Sequence, residues 1–178
     1  MLKKLILSLA AFACISLLAV DANAISLNAA SPRQDSTAPQ QFRTFCKKNP
    51  GECRSSNAQH IRYTPSTARL LSRINAQVNR QIRPRRDKVD VWQIATRAGD
   101  CDDYVMTKRH KLIRAGVPSS ALRVAVVKTR RGEGHAVLVV KTSTGDLVLD
   151  NIRRTIVSRK ASGYRYISMS TGNPLRWN

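Results

Sequence analysis

Acidic residues are scarce in this chain of 178 residues. Only 11 Asp and Glu stand against 31 Lys and Arg, for a formal net charge of +20. Aromatic residues make up just 5%, and the basic stretches Arg62–Lys88, Lys108–Arg131 and Arg153–Arg165 run almost without aromatic interleaving. The excess charge therefore does not read as a nucleic-acid-binding pattern. No C-x-x-C or H-x-x-x-H spacing occurs, which excludes a zinc framework built on such pairs. No apolar run is long enough for a multi-span membrane protein, and there is no internal repeat. What is present suits a single domain. A hydrophobic fraction of 42% argues against wholesale disorder, and a chain of about 150 residues buries roughly 68–70% of its unfolded surface.

The first segment reads as a targeting signal. Lys3 and Lys4 precede a largely apolar run from Leu5 to Val20, and Ala22-Asn23-Ala24 supplies the small-x-small cleavage pattern. The run is short for a span of about 20 apolar residues, and no positive stop-transfer cluster follows it. We expect a cleaved signal peptide over 1–24, export to the periplasm or beyond, and no transmembrane span in the mature chain. Ile25–Gln41 is rich in Ser, Ala, Pro and Gln without periodicity, so a flexible lead-in is expected over 25–44 and one domain over 45–178.

Export changes the cysteine arithmetic. Cys14 leaves with the signal, and Cys46, Cys53 and Cys101 remain. In an oxidising compartment an odd count implies one pair plus a free thiol, or an intermolecular bond. Cys46 and Cys53 bracket a turn-rich loop containing Asn49-Pro50-Gly51 that can close as a disulfide, leaving Cys101 to be explained. The high positive charge points to an acidic protein, an anionic lipid or an envelope polymer as partner, with a merely solubilising basic surface as the plain alternative.

Periodicity divides the rest. Thr67–Arg83 reads as an amphipathic helix with Leu70, Leu71, Ile74, Val78 and Ile82 on one face, stopped by Pro84. A second helix is expected over Cys101–Ala115, with Val105 and Leu112 marking its inner face and Lys108/Arg109 its outer face, ended by Gly116 and Pro118. The period then changes to that of strands: Leu122–Lys128, His135–Lys141, Leu147–Asp150 and Tyr164–Met169. Helices first and an antiparallel sheet afterwards make an α+β fold, with the helices on one face of the sheet.

Three residues in this order carry chemistry. Cys101 opens a helix, where the orphan N–H groups and the positive dipole end favour a thiolate and lower a thiol pKa from about 8.5 into the ~3.5–7.5 range. His135 follows 34 residues later at the start of a strand, and Asp150 ends the next strand, 15 residues beyond it. In a hairpin turning at Thr142–Asp146 those two positions are cross-strand neighbours. A helix start packed on that hairpin makes a nucleophile, a base and an orienting carboxylate. His60 and His110 are the internal controls, since neither has a paired strand that brings a carboxylate to it.

Trp92, Gly99-Asp-Cys-Asp-Asp-Tyr104, Leu112-x-x-x-Gly-Val-Pro118, His135-Ala-Val-Leu138 and Val148-Leu-Asp-Asn151 together resemble the bacterial transglutaminase-like cysteine proteinases. These are exported relatives of the papain and transglutaminase folds. They include periplasmic LapG-type proteases that cut large surface adhesins and release biofilm cells. The resemblance implies a papain/transglutaminase-like core, with Cys101 as nucleophile, His135 as general base and acid, and Asp150 as orienter. An oxyanion donor is expected from the Cys101 backbone N–H, with the Trp92 indole as a second candidate. The resemblance also implies an inner-membrane regulatory receptor and a calcium ion held by acidic residues beside the nucleophile. By position those are Asp100 and Asp102, with Asp103 as a third. The family pattern more often has Glu where Asp102 stands. Without a cation the three carboxylates oppose thiolate formation; the competing reading is that Asp100 caps the helix and the others sit in its first turn.

Three classes of function follow. The first is an exported cysteine endopeptidase that hydrolyses peptide bonds of a cell-envelope or surface protein, needing no cofactor for the chemistry. The second is a transglutaminase-type acyl transferase acting on envelope amides. The third is a non-catalytic binding module of the same fold.

Overall fold

The structure, a computed structural model, describes residues 36–95 and 97–178. The expected signal peptide and the first part of the lead-in lie outside them. In chain order the elements are β1 (Ser36–Thr37), α1 (Gln40–Lys48), α2 (Pro65–Gln81), β2 (Arg83–Pro84), β3 (Ala98–Gly99) and α3 (Cys101–Arg114). Then come β4 (Leu122–Lys128), β5 (Gly134–Thr142), β6 (Gly145–Leu149), β7 (Val157–Ser158), β8 (Arg165–Met169) and β9 (Arg176–Trp177). The main sheet is antiparallel throughout, in the order β7-β6-β5-β4-β8. This is the α+β arrangement expected from the change of period.

The domain begins earlier than composition suggests. Residues 36–44, placed in a flexible lead-in, instead form β1 and the first half of α1. β1 pairs with β9, aligning Ser36 with Trp177. In α1, Phe42, Phe45 and Cys46 recur at helical spacing and are buried. The Phe42 ring lies 5.5 Å from that of Trp177 and 5.8 Å from that of Trp92. A partner some 130 residues away cannot be seen in a polar local composition. The disulfide between Cys46 and Cys53 is formed, leaving Cys101 free.

α2 starts at Pro65 rather than Thr67. Thr64 caps it reciprocally: its Oγ1 accepts the Thr67 N–H at 3.2 Å, and Thr67 Oγ1 accepts the Thr64 N–H at 2.7 Å. It ends at Gln81, because the next residues leave the helix to pair β2 in parallel with β3. On its inner face Leu71, Ile74 and Val78 join the core, while Asn75 and Asn79 turn to the segment after β6. Asn79 Nδ2 donates to the Asp150 carbonyl at 2.8 Å and Asn75 Nδ2 to that of Arg154 at 3.1 Å.

α3 is buried on almost every side, lying between α2 and β5. Lys108 and Arg109, expected on an outer face, are each only 1% exposed. Arg109 is compensated by Glu52 from the disulfide loop, with Nη1 3.3 Å from Oε2 and a further bond to the Glu52 carbonyl. The same carboxylate meets His110 Nδ1 at 2.7 Å. The control histidine therefore has a carboxylate partner after all, supplied by a loop rather than a strand. One face of the sheet, through Ala136, Leu138 and Val140, packs into the helical core. The other, through Val137 and Val139, is closed by Tyr164, Tyr166 and Met169. β5 is thus covered on both faces, as its continuous apolar run predicts.

Candidate active site

The β2–β3 ladder and the start of α3 set the nucleophile position. Arg83 N–H bonds to the Arg97 carbonyl at 2.8 Å and Arg85 N–H to that of Gly99 at 2.9 Å, so the chain enters α3 along a fixed path. Gly99 is required there by space. A Cβ on it would lie 2.1 Å from Asp103 Oδ2. Asp103 is fully buried, and its Oδ1 accepts the Gln93 N–H at 3.2 Å, tying the 93–99 segment to the helix.

The β5–β6 register places Leu138 opposite Leu149, so His135 and Asp150 extend from the same end of the hairpin. His135 Nε2 and Asp150 Oδ1 are 2.9 Å apart, and both residues are buried. With Nε2 engaged, Nδ1 is the imidazole nitrogen left to face a substrate or a thiol. The Asp150 carboxylate has three donors: His135, the Ile152 N–H at 3.1 Å, and the Tyr164 hydroxyl on Oδ2. Burial alone would raise the Asp150 pKa, but these hydrogen bonds and the His135 charge bring it below the ordinary carboxylate value. The Tyr164 ring also meets the His135 ring edge-on, 5.6 Å between centroids. Burial and the Asp150 charge raise the Tyr164 pKa, so its hydroxyl stays a donor. Tyr164 was not singled out from sequence; an alternating strand start carries no mark of it. Lys108, also buried, feels the Asp150 charge from α3, yet burial brings its pKa down to about 7.

Cys101 and His135 line one cleft of about 380 Å³, together with Gly99, Asp100, Asn151 and Ile152. The thiol is not the readily ionised group that its helix position predicts. Its pKa is pushed up to about 11, first by burial and then by the Asp102 and Asp100 charges; the N–H groups of Ala136 and Asp102 only partly oppose this. The Ala136 contact puts the sulfur beside the residue that follows His135.

Trp92 does not serve the role assigned to it. Its indole N–H donates to Asp90 Oδ1 at 3.0 Å, and its ring packs with Phe42 and Trp177 outside the cleft. The remaining candidate for an oxyanion donor is the Cys101 backbone N–H, at the first turn of α3.

Asp100 makes no side-chain cap to α3, so the capping reading of this residue fails. Ligand atoms of Asp100, Cys101 and Asp102 lie within 4.8 Å of one another. Asp100 Oδ1 and Asp102 Oδ2 are buried without a hydrogen-bond partner among the described residues. Burial, and then the bond and charge from Asp100, lift the Asp102 pKa far above the carboxylate range. Two buried orphan oxygens on adjacent carboxylates fit a hard cation, which takes oxygen ligands. Asp103 is not in that cluster. Its pKa rises to about 6 through burial, with the Gln93 N–H opposing.

The comparisons agree on the fold. The chain is similar to LapG of Legionella pneumophila in its calcium-bound structure, at 20% identity and a TM-score of 0.52, over 72% of this chain and 73% of that one. The EGTA-treated LapG structure matches at 19% identity and a TM-score of 0.52, over 72% and 71%. At that level of identity the likeness is one of fold. Residues 33–178 match the family profile of the bacterial transglutaminase-like cysteine proteinases, and the chain belongs to that family. No match is found among curated proteins. No helix among the described residues is long and apolar enough to cross a membrane.

Proposed function

We propose that the protein is an exported cysteine endopeptidase that uses Cys101, His135 and Asp150 to hydrolyse a cell-envelope or surface protein. The observation that carries this reading is the buried His135–Asp150 pair, 2.9 Å apart, at the wall of the cleft that holds the free thiol. His135 Nδ1 takes the Cys101 proton, and the sulfur attacks the peptide carbonyl. The oxyanion forms against the Cys101 backbone N–H. The imidazolium, steadied by Asp150 through Nε2, gives its proton to the leaving amine. Water, deprotonated by the same imidazole, then cleaves the thioester and restores the thiol.

A raised thiol pKa makes this ion pair costly unless the neighbouring carboxylates are neutralised. Calcium is the proposed partner of Asp100 and Asp102, supported by their two orphan oxygens and by the calcium-bound state of LapG. When bound, the ion supplies positive charge next to the sulfur. The signal-like N-terminus supports a periplasmic or secreted location. Family resemblance supports an adhesin-type substrate and an inner-membrane receptor as regulator.

The test compares surface proteomes of cells carrying the wild type, Cys101→Ala or His135→Ala. The reading expects new protein N-termini only with the wild type, and free amine release without new cross-links when the purified enzyme acts on the same proteins. Cross-linked product would favour the acyl transferase, and no Cys101-dependent change at all would remove the enzyme reading.

A further inference from the structure

The positive charge is not evenly spent. Among the described residues, carboxylates pair with Arg109, His110, Lys141 and Arg159, none of which lines the cleft, and with His135, which does. Arg85 and Arg86 line the cleft beside Cys101 and have no carboxylate within ion-pair distance among the described residues. The Arg85 N–H bond to the Gly99 carbonyl fixes their backbone next to the nucleophile segment.

A second cavity of about 370 Å³ adjoins the cleft, the two sharing Ile152. Its walls include Arg130, Arg131 and Arg153, with Tyr164 behind them and Glu133 as the one carboxylate. None of these three arginines has an ion-pair partner among the described residues. The Arg130 guanidinium lies against Gly163: a Cβ there would meet its Nε at 2.8 Å, and Gly163 itself has a φ of +71°. Ile152, 65% exposed, stands between the two cavities as an apolar surface with nothing over it.

The combination has a chemical meaning. Guanidinium groups present a planar fork that matches a carboxylate, and an uncovered isoleucine beside them suits the stem of a Glu side chain or a neighbouring apolar residue. An extended peptide advances about 3.3–3.6 Å per residue. Because the two cavities share Ile152, a peptide with a side chain in the second can reach Cys101 within a few residues.

We propose that the cavity of Arg130, Arg131 and Arg153 is a substrate subsite for carboxylate side chains, so that cleavage falls close to Asp or Glu on one side of the scissile bond. Arg85 and Arg86, which line the cleft itself, act likewise next to the scissile bond. This rests on the endopeptidase reading and narrows its substrate class from composition to located residues.

The test digests a proteome-derived peptide library with the wild type, Arg130→Gln/Arg153→Gln and Arg130→Glu/Arg153→Glu, and sequences the new termini. These side chains are exposed, and a melting curve for each variant checks that it folds. Asp and Glu should be enriched within four residues of the cuts. Matched Glu and Gln peptides should differ about tenfold in kcat/KM for the wild type, since exposed ion pairs are individually weak. The preference should shrink in high salt, vanish in the Gln variant, and turn toward Lys in the charge-reversed one. Cys101-dependent cutting with no acidic enrichment, or with enrichment unchanged in both variants, overturns the subsite and leaves the endopeptidase standing. Absence of any Cys101-dependent cutting overturns both.

Discussion

Replacing Tyr164 by Phe removes one hydroxyl and keeps the ring. The Asp150 carboxylate then loses its donor on Oδ2 but keeps His135 at 2.9 Å and the Ile152 N–H at 3.1 Å. A hydrogen bond to a charged group contributes about 1.5–3 kcal/mol. Only the part that differs between resting and transition states reaches the rate. If half of it holds the carboxylate in line with the imidazole, kcat falls about tenfold, since each ~1.4 kcal/mol is one decade. KM should hardly change. The edge-on packing against His135 survives, so melting should drop little. With one donor fewer, the Asp150 pKa rises toward the ordinary carboxylate value, so that protonation removes its orienting charge at a higher pH. The acid limb of the kcat/KM profile should therefore move to higher pH. Measuring kcat, KM and that limb on a single peptide substrate separates positioning from packing. A variant with wild-type kcat and an unmoved acid limb would refute the reasoning, whatever its melting temperature.

Four further outcomes follow from the geometry. Lys108 titrates near 7 when folded but near 10.5 in its ordinary state, so between those values the unfolded chain binds more protons and stability rises with pH. Lys108→Met should flatten that rise in urea unfolding from pH 7 to 10, and an unchanged slope would show that the ammonium is not desolvated. Gly99→Ala forces a Cβ into the Asp103 carboxylate and should lower the melting temperature by several degrees, as about 1–3 kcal/mol of overpacking does; unaltered melting would disprove the close approach. Trp92→Phe should reduce stability by calorimetry while leaving kcat near wild type, whereas a hundredfold loss of kcat would restore its indole to the oxyanion site. Alkylation of Cys101 by iodoacetamide should be slow in EGTA and faster with added calcium, with Cys46 and Cys53 unlabelled until reduced; equal rates in both, with no change in melting, would mean that Asp100 and Asp102 hold no ion.

The sequence determined those features whose cause is local. α3 begins at Cys101 and ends near Gly116 because its breakers are adjacent in the chain, and β4 and β5 follow from β-branched runs broken by a glycine turn. The opposition of His135 and Asp150 was legible too, since hairpin pairing turns sequence spacing into spatial contact. The Cys46–Cys53 link was legible because the two cysteines bracket a short turn-rich loop that brings its ends together.

Only the tertiary structure decided what depends on distant partners. α1 became a helix of the core because Trp177 covers Phe42. Arg109 could be buried because a disulfide loop brings Glu52 to it, and Trp92 was taken out of the site by Asp90 and its aromatic neighbours. Tyr164 reached Asp150 through a strand that crosses to the far edge of the sheet. The ionisation of Cys101 shows the division most clearly. A helix start in isolation favours the thiolate, but in the folded chain burial and two carboxylates outweigh it, because desolvation is set by everything packed around the sulfur and not by its place in the chain.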